Sequence, residues 1–334
     1  MKVAIQCDDA WEREYLETHL TAHEVVFLSP EDVAGDVVFA DVQCLCVFIK
    51  TPVTKAVLDR FPGLTGIVTR STGYDHIDVV AARTRNIAVA NVPAYGENTI
   101  AEYAFALLLA LTRQVYDTYE RVRESGAWTT QGLGGMDLKG KKMGVVGTGH
   151  TGQHVVRIAR GFGMDVIAYD VCERKELEGE LGFMYVTFED LLAQSDVLSL
   201  HAPYNKHTHH MLHQGNVPQL KQGAILINTA RGGLVETKAL VRALKDGALH
   251  GAGLDVLEEE GGMTDPAALV LGDDVSCESL QVMLANQYLI DHPRVLVMPH
   301  NAFNTREARE RILATTVANI TAMGQGTPLN DVTG

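Results

Sequence analysis

An arginine in INTARGGLV (Arg231), three glutamates in GLDVLEEE (Glu258, Glu259 and Glu260, after Asp255) and a histidine in MPHNAF (His300) each stand just past a short β-rich run. A guanidinium offers a planar fork that pairs with a carboxylate through two hydrogen bonds. An imidazole titrates near neutrality, so it can both give and take a proton. A carboxylate in contact with that imidazole favours its charged form and fixes its tautomer. An anion anchor beside a proton donor suits chemistry on the carbon next to a small carboxylate. Taken singly, Arg231 reads more simply as a helix-start residue in a surface ion pair, and the glutamates as solvated acid. Three strand ends carrying these types, together with the glycine motif described next, favour the chemical reading.

The segment KMGVVGTGHTGQHVVRIARGFGMDVIAYD places Gly147, Gly149 and Gly152 between a strand and a helix. Gly147 permits the tight turn, Gly149 lets backbone approach a pyrophosphate, and Gly152 allows the helix to pack closely on the strand. The helix N-terminus then offers free N–H groups and a positive dipole end to phosphates. The spacing alone is weak evidence. Asp170 strengthens it, because it ends the following strand, where a carboxylate takes ribose hydroxyls and repels a 2′-phosphate. Val171 rather than an arginine comes next, so NAD is expected, although Arg174 and Lys175 lie near enough to keep NADP as the alternative. The 146 residues before Gly147 suffice for a whole preceding domain.

These residues need strands to hold them, and β-rich runs alternate with helical patterns along most of the chain, the mark of parallel sheets covered by helices. One series of strands is expected at 2–6, 25–28, 44–49, 64–70 and 87–90, and a second at 142–147, 165–169, 197–200, 224–228, 251–255 and 295–298. A single long apolar helix is expected over 98–123, and an amphipathic helix over 305–323 that would pack back on the first domain. Residues 258–294 read as a long loop carrying a short helix near 278–285. The expected fold class is therefore α/β, with two doubly wound domains: residues 1–99 with 301–334, and residues 100–300. Ligands would meet in a cleft where the chain crosses between them.

A chain of 334 residues, 46% of them apolar, has material for two cores. The 42 acidic against 28 basic residues give a charge of −14, which repels nucleic acid and anionic membrane. Neither a signal-peptide core nor a membrane-spanning run is visible, so a cytoplasmic location is expected. The five cysteines lack metal-ligand spacing and an even-numbered disulfide pattern, and are read as reduced thiols. His207, His209, His210 and His213 invite a metal hypothesis, since His209 and His213 would share a helical face. Hydride transfer needs no metal and no cysteine or carboxylate completes the ligand set, so none is expected. His201 is read as a loop anchor.

Over nearly the whole chain and in order, TGYDHID, VPAYGENTIAEYAFALLLA, VVGTGHTGQ, HAPYNKHTHHML, INTARGGLVE, GLDVLEEE and MPHNAFNT resemble the D-isomer-specific 2-hydroxyacid dehydrogenases. The resemblance implies a flavodoxin-like substrate domain and a Rossmann NAD-binding domain. It makes Arg231 the anchor of the substrate carboxylate, His300 the proton donor and acceptor, and Glu260, rather than Glu258 or Glu259, the partner of the imidazole. Thr72 and Gly73 would offer backbone groups to the same carboxylate. For the cofactor it implies His150 and Thr151 at the pyrophosphate, Asp170 at the ribose, and Ala202, Pro203 and Thr208 on the adenosine side. Thr229, Ala230, Arg231, Asp255 and His300 would border the nicotinamide, with Asp255 holding the carboxamide. GTGHTGQ, HNAFNT and the long loop before His300 are similar to the D-lactate dehydrogenase branch, and Phe48, Tyr95 and Phe303 would line its small pocket. Phe48 stands where that branch often has tyrosine, which leaves the keto acid open. Pyruvate with D-lactate is the leading pair. Glyoxylate, phosphoglycerate and phosphite enzymes, and NAD-sensing corepressors without enzymatic activity, are the alternatives. The apolar helix around 99–123 would join two copies in a homodimer.

Overall fold

Strands joined through crossover helices can pair only in parallel, and every ladder between named strands in this protein is parallel. The computed structural model describes residues 1–260 and 276–333. The first sheet contains β1 (Lys2–Gln6), β2 (Glu24–Leu28), β3 (Cys44–Val47), β4 (Gly66–Thr69) and β5 (Ala88–Ala90), in the order β2-β1-β3-β4-β5. The second contains β6 (Lys142–Val146), β7 (Asp165–Tyr169), β8 (Met184–Tyr185), β9 (Val197–Leu200), β10 (Ala224–Asn228), β11 (Leu249–Leu254) and β12 (Val295–Val297), in the order β12-β11-β10-β9-β6-β7-β8. These are the two common doubly wound orders, flavodoxin-like in the first case and Rossmann in the second. CLCV in β3, VLSL in β9 and AILIN in β10 are buried at every residue, as strands covered on both faces must be.

Twelve helices are described among these residues: α1 (Ala10–His19), α2 (Pro30–Ala34), α3 (Lys55–Asp59), α4 (Val79–Thr84), α5 (Glu97–Thr112), α6 (Val115–Ser125), α7 (His150–Gly161), α8 (Lys175–Leu181), α9 (Phe188–Gln194), α10 (Thr237–Lys245), α11 (Cys277–Asp291) and α12 (Arg306–Gly324). The chain divides into two compact units, residues 1–95 with 304–334 and residues 96–303. In the first unit Leu313, Ile320 and Met323 of α12 share a core with Val3, Ile5 and Val68. Thr305 caps this helix through the Ala308 N–H. No helix among the described residues is long and apolar enough to cross a membrane.

Two expectations about elements need correction. The helix expected over 98–123 is two helices, because Gln114 adopts φ 48° and turns the chain between α5 and α6. No glycine or proline marks this break, so nothing local announced it. In α5, Ala101, Ala104, Phe105, Leu107 and Leu108 belong to the core of the second unit. The helix expected near 278–285 runs instead from Cys277 to Asp291, with Ser276 as its cap. Of the loop expected around it, residues 261–275 lie outside the described residues. β8, an edge strand of two residues, carries too little pattern to be read from sequence.

Candidate active site

In a parallel sheet all carboxyl ends share one edge, and the side chains singled out from sequence in the second unit follow those ends. Asp170 follows β7, Gly147 β6, Ala202 β9, Thr229 and Arg231 β10, Asp255 β11 and His300 β12. With neighbouring strands about 4.8 Å apart, the row from β7 to β12 spans roughly 24 Å. The strand order reverses between β6 and β9, the place where open α/β sheets leave a crevice. There a Cβ on Gly147 (φ 91°) would stand 2.8 Å from the His201 carbonyl oxygen, so the turn admits only glycine. On Gly152 it would lie 2.0 Å from the Gly147 carbonyl oxygen, so any larger residue separates α7 from β6.

The residues present fit a dinucleotide. A Cβ on Gly149 would meet nothing within 4 Å among the described residues, which leaves the N-terminus of α7 open to a pyrophosphate. His150 and Thr151 begin that helix. At the residue expected to meet the ribose, one oxygen of Asp170 accepts the Thr148 N–H at 2.7 Å and the Thr148 hydroxyl at 3.0 Å, and the other accepts the Cys172 N–H at 2.9 Å. The carboxylate is thus aimed by three donors. Thr148, an unassigned position within the glycine motif, sets Asp170, and its hydroxyl also lies 2.7 Å from that of Tyr185. The two nearby cations are engaged elsewhere: Arg174 donates to the Thr148 carbonyl, and Lys175 pairs with Glu173 at 2.7 Å. In the segment expected on the adenosine side, the Thr208 hydroxyl closes the loop after Ala202 by donating to the Pro203 carbonyl at 2.7 Å. Further along the row, the buried Thr229 hydroxyl has no partner among the described residues. A buried orphan of this kind asks for a ligand atom.

At the other end of the row the sheet ladder continues past the strands. Asp255 donates its N–H to the Asn228 carbonyl at 2.9 Å, and His300 donates to the Asp255 carbonyl at 2.8 Å. The Asn228 side-chain amide donates to the Arg231 carbonyl at 2.9 Å, fixing the backbone of that turn. His300 takes φ 56°, a left-handed conformation uncommon for any residue with a Cβ. Asp255 holds it there, since its two carboxylate oxygens accept the Asn301 and Ala302 N–H groups at 2.8 Å each. Burial pushes the Asp255 carboxyl above its ordinary value, against the pull of those two donors. The Tyr103 phenol adds a bond to the Asn301 side chain. This work of Asp255 was not legible from the sequence.

His300 Nδ1 lies 2.7 Å from Glu260 Oε1, with the ring 14% exposed and the carboxylate 38%. An ionised carboxylate only accepts, so Nδ1 donates and Nε2 is left for another partner. The remaining expected residues are divided between the two units. Phe48, Thr72 and Gly73 follow β3 and β4 in the first unit, where the Arg70 guanidinium sits 5.4 Å from the Phe48 ring centre. There the Thr72 hydroxyl donates to the Val92 carbonyl at 2.8 Å. Tyr95 is buried in the same unit, and Phe303 follows His300 in the second. The segment holding His209 and His213 is a series of turns rather than a helix, and no cluster of metal-ligating side chains is found among the described residues.

His201, behind the glycine turn, bonds the Ser199 hydroxyl through Nε2 at 2.8 Å. Burial pushes its imidazole from the ordinary 6.5 down to about 4. The unfolded chain therefore takes up a proton as the pH falls through 6.5, whereas the folded chain does so only near 4. Stability contributed by this group is complete above 6.5 and declines below it, by on the order of 1.4 kcal/mol per pH unit. His201→Gln should accordingly flatten the acid side of the stability curve, measured as urea midpoints between pH 7 and 4.5. Parallel curves for the two proteins would contradict the burial argument.

Comparison with known proteins agrees with this arrangement. The family model described as "D-isomer specific 2-hydroxyacid dehydrogenase, NAD binding domain" matches residues 105–302. The 2-hydroxyacid dehydrogenase A of Aspergillus oryzae is 37% identical over 335 residues, covering 96% of this chain and 91% of the relative. A glyoxylate reductase of Thermococcus litoralis is 38% identical over 86% of this chain and 82% of its own. The crystal structure of D-lactate dehydrogenase from Aquifex aeolicus, complexed with NAD and lactic acid, superposes with a TM-score of 0.86 at 30% identity, covering 99% of each chain. With a family model matched over residues 105–302 and relatives matched across almost its full length, the chain belongs to the NAD-dependent D-isomer-specific 2-hydroxyacid dehydrogenases.

Proposed function

We propose that this enzyme reduces a small 2-keto acid to its D-2-hydroxy acid, with pyruvate and D-lactate as the leading pair. The observation that carries the reading is the His300–Glu260 pair, in which the carboxylate engages Nδ1 and leaves Nε2 for a substrate oxygen. In the reduced form the bound dinucleotide supplies the hydride that reaches C2. His300 gives its Nε2 proton to the carbonyl oxygen, and Glu260 holds the ring in the tautomer that permits this. Arg231 pairs with the substrate carboxylate through its fork. From the family pattern alone, Thr72 and Gly73 are proposed to meet that carboxylate through backbone groups, and Phe48, Tyr95 and Phe303 to set the size of acid accepted. Ala202, Pro203 and Thr208 are proposed on the adenosine side, and Thr229, Ala230 and Asp255 toward the nicotinamide. Relatives named for lactate and glyoxylate support a short side chain on the acid.

The five cysteines are free, which supports a reducing, cytoplasmic setting. A homodimer is proposed through α6 rather than α5, because Val115, Tyr116, Tyr119, Val122 and the following Trp128 are exposed apolar residues on one short stretch.

The test is a panel of 2-keto acids, pyruvate, glyoxylate, a branched acid and phosphohydroxypyruvate, each with NADH and NADPH, followed by nicotinamide absorbance and chirality of the product. Highest kcat/KM for pyruvate with NADH is expected, and a maximum at glyoxylate would reassign the acid. No turnover with any of them would sink the enzymatic reading. Asp170→Ser should raise kcat/KM with NADPH relative to NADH by about tenfold, the effect of roughly 1.4 kcal/mol of lost repulsion.

A further inference from the structure

Two carboxylates of the glutamate run lie close to the site, and only Glu260 touches the imidazole. The other, Glu258, is 14% exposed and fully engaged. Its Oε1 lies 2.5 Å from His210 Nε2, and its Oε2 accepts the Thr237 N–H at 3.0 Å and the Thr237 hydroxyl at 2.7 Å. Its backbone carbonyl accepts the Asn286 side-chain amide of α11 at 2.8 Å. His210 is itself built in: it takes φ 50°, donates its N–H to the Gly233 carbonyl at 2.8 Å, and stacks on His209 with ring centres 3.7 Å apart. The Tyr204 hydroxyl lies 3.0 Å from His209 Nδ1.

What this node grips is the turn that presents Glu260. Glu259 adopts φ 53°, and a turn through a left-handed glutamate needs holding from outside. Glu260 Oε2 reaches back to the Leu257 N–H at 3.4 Å. The Leu257–Glu258 peptide also presses on the residue after Arg231, since a Cβ on Gly232 would lie 2.0 Å from the Leu257 carbonyl carbon and oxygen. One peptide therefore abuts the turn of the anion anchor and starts the turn of the imidazole's partner. Left to burial alone the Glu258 carboxyl would titrate high, yet Thr237 and His210 hold it below its ordinary value, as a permanently ionised acceptor requires.

We propose that Glu258, clamped by His210 and Thr237, is a positioning residue that keeps Glu260 bonded to His300. The proposal rests on the acid–base reading above and adds to it a tie from the adenosine-side loop, through His210, to the proton-transfer pair. Its chemistry is that of an outer support, which orients a working group without touching substrate.

Two measurements test it on the intact enzyme. The first is kcat and KM for pyruvate and affinity for NADH in Glu258→Ala, Glu258→Gln, His210→Ala and His210→Gln. The second is the low-field proton spectrum of the imidazoles, with Glu260→Gln and His300→Gln used to assign the His300 Nδ1 proton. Glu258→Ala and His210→Ala are expected to lower kcat by about tenfold to a hundredfold, the cost of a misplaced catalytic group. They should broaden or abolish the His300 resonance and leave NADH affinity nearly unchanged. His210→Gln keeps an N–H donor toward Glu258 and should recover most of the rate. If Glu258→Ala fails to fold, the His210 pair of variants decides alone. A sharp His300 resonance and native kcat in the His210→Ala or Glu258→Ala protein would overturn the positioning role while leaving the acid–base reading intact. Native kcat in both Glu260→Gln and His300→Gln would overturn both.

Discussion

Replacing His300 with asparagine should lower kcat for pyruvate reduction by about 10²- to 10⁴-fold, the range that a positioned general acid supplies. Asparagine is the sharper choice beside alanine because His300 holds φ 56°, a conformation that asparagine tolerates better than most residues with a Cβ. The turn, tied down by the Asp255 carboxylate through Asn301 and Ala302, should therefore survive. Only the imidazole is lost, and with it the proton that must reach the substrate oxygen as hydride reaches C2. His300→Ala should fall equally in rate and somewhat further in stability. Steady-state turnover with saturating NADH, alongside direct titration of NADH binding, separates the two effects. Affinity for NADH should be retained, because Gly149 and Asp170, the residues proposed for the pyrophosphate and ribose, lie at the other end of the row. Unchanged turnover in both variants would refute the assigned role.

How much of this was readable beforehand depended on whether a signal was local. Gly152 announces itself because the clash it avoids, with the Gly147 carbonyl, arises between elements adjacent in sequence, β6 and α7. Gly147 is read from the motif spacing, whereas its clash lies across the sheet at His201. Strands such as β10 are legible because four consecutive apolar positions, Ala224 to Ile227, between turn signals suit a strand covered on both faces. Arg231, Asp255 and His300 could be placed because parallel strands bring their carboxyl ends to one edge whatever the loops do. What stayed hidden was set at long range. The break at Gln114 carries no glycine, and the burial of the α5 stripe follows from packing against β11 and α7 rather than from its composition. Glu258 and His210 are 48 residues apart, and three glutamates in a row look alike until the fold gives each a different neighbour. The second task of Asp255, holding the backbone after His300, needs the 46-residue contact to be seen.

Arg231→Ala should raise KM for the keto acid by roughly 10²-fold, the equivalent of about 3 kcal/mol in charge-assisted hydrogen bonds to the carboxylate. The loss should fall on substrate binding more than on kcat, because the anchor proposed here would grip a carboxylate whose charge is the same before and after hydride transfer, and so would hold ground state and transition state alike. The backbone gives reason to expect an intact fold: the Arg231 carbonyl is held by the Asn228 side chain, and Gly232 keeps its contact with the Leu257 peptide whichever side chain precedes it. Arg231→Lys retains the charge without the fork and should fall between the two, since an ammonium cannot make the paired parallel bonds. Addition of guanidinium ion should restore part of the activity of Arg231→Ala at subsaturating pyruvate. That rescue separates loss of an anion anchor from general damage, which no small cation repairs. A variant that kept its KM and lost only kcat would place Arg231 in the proton-transfer chemistry instead, and would require a different group to hold the carboxylate.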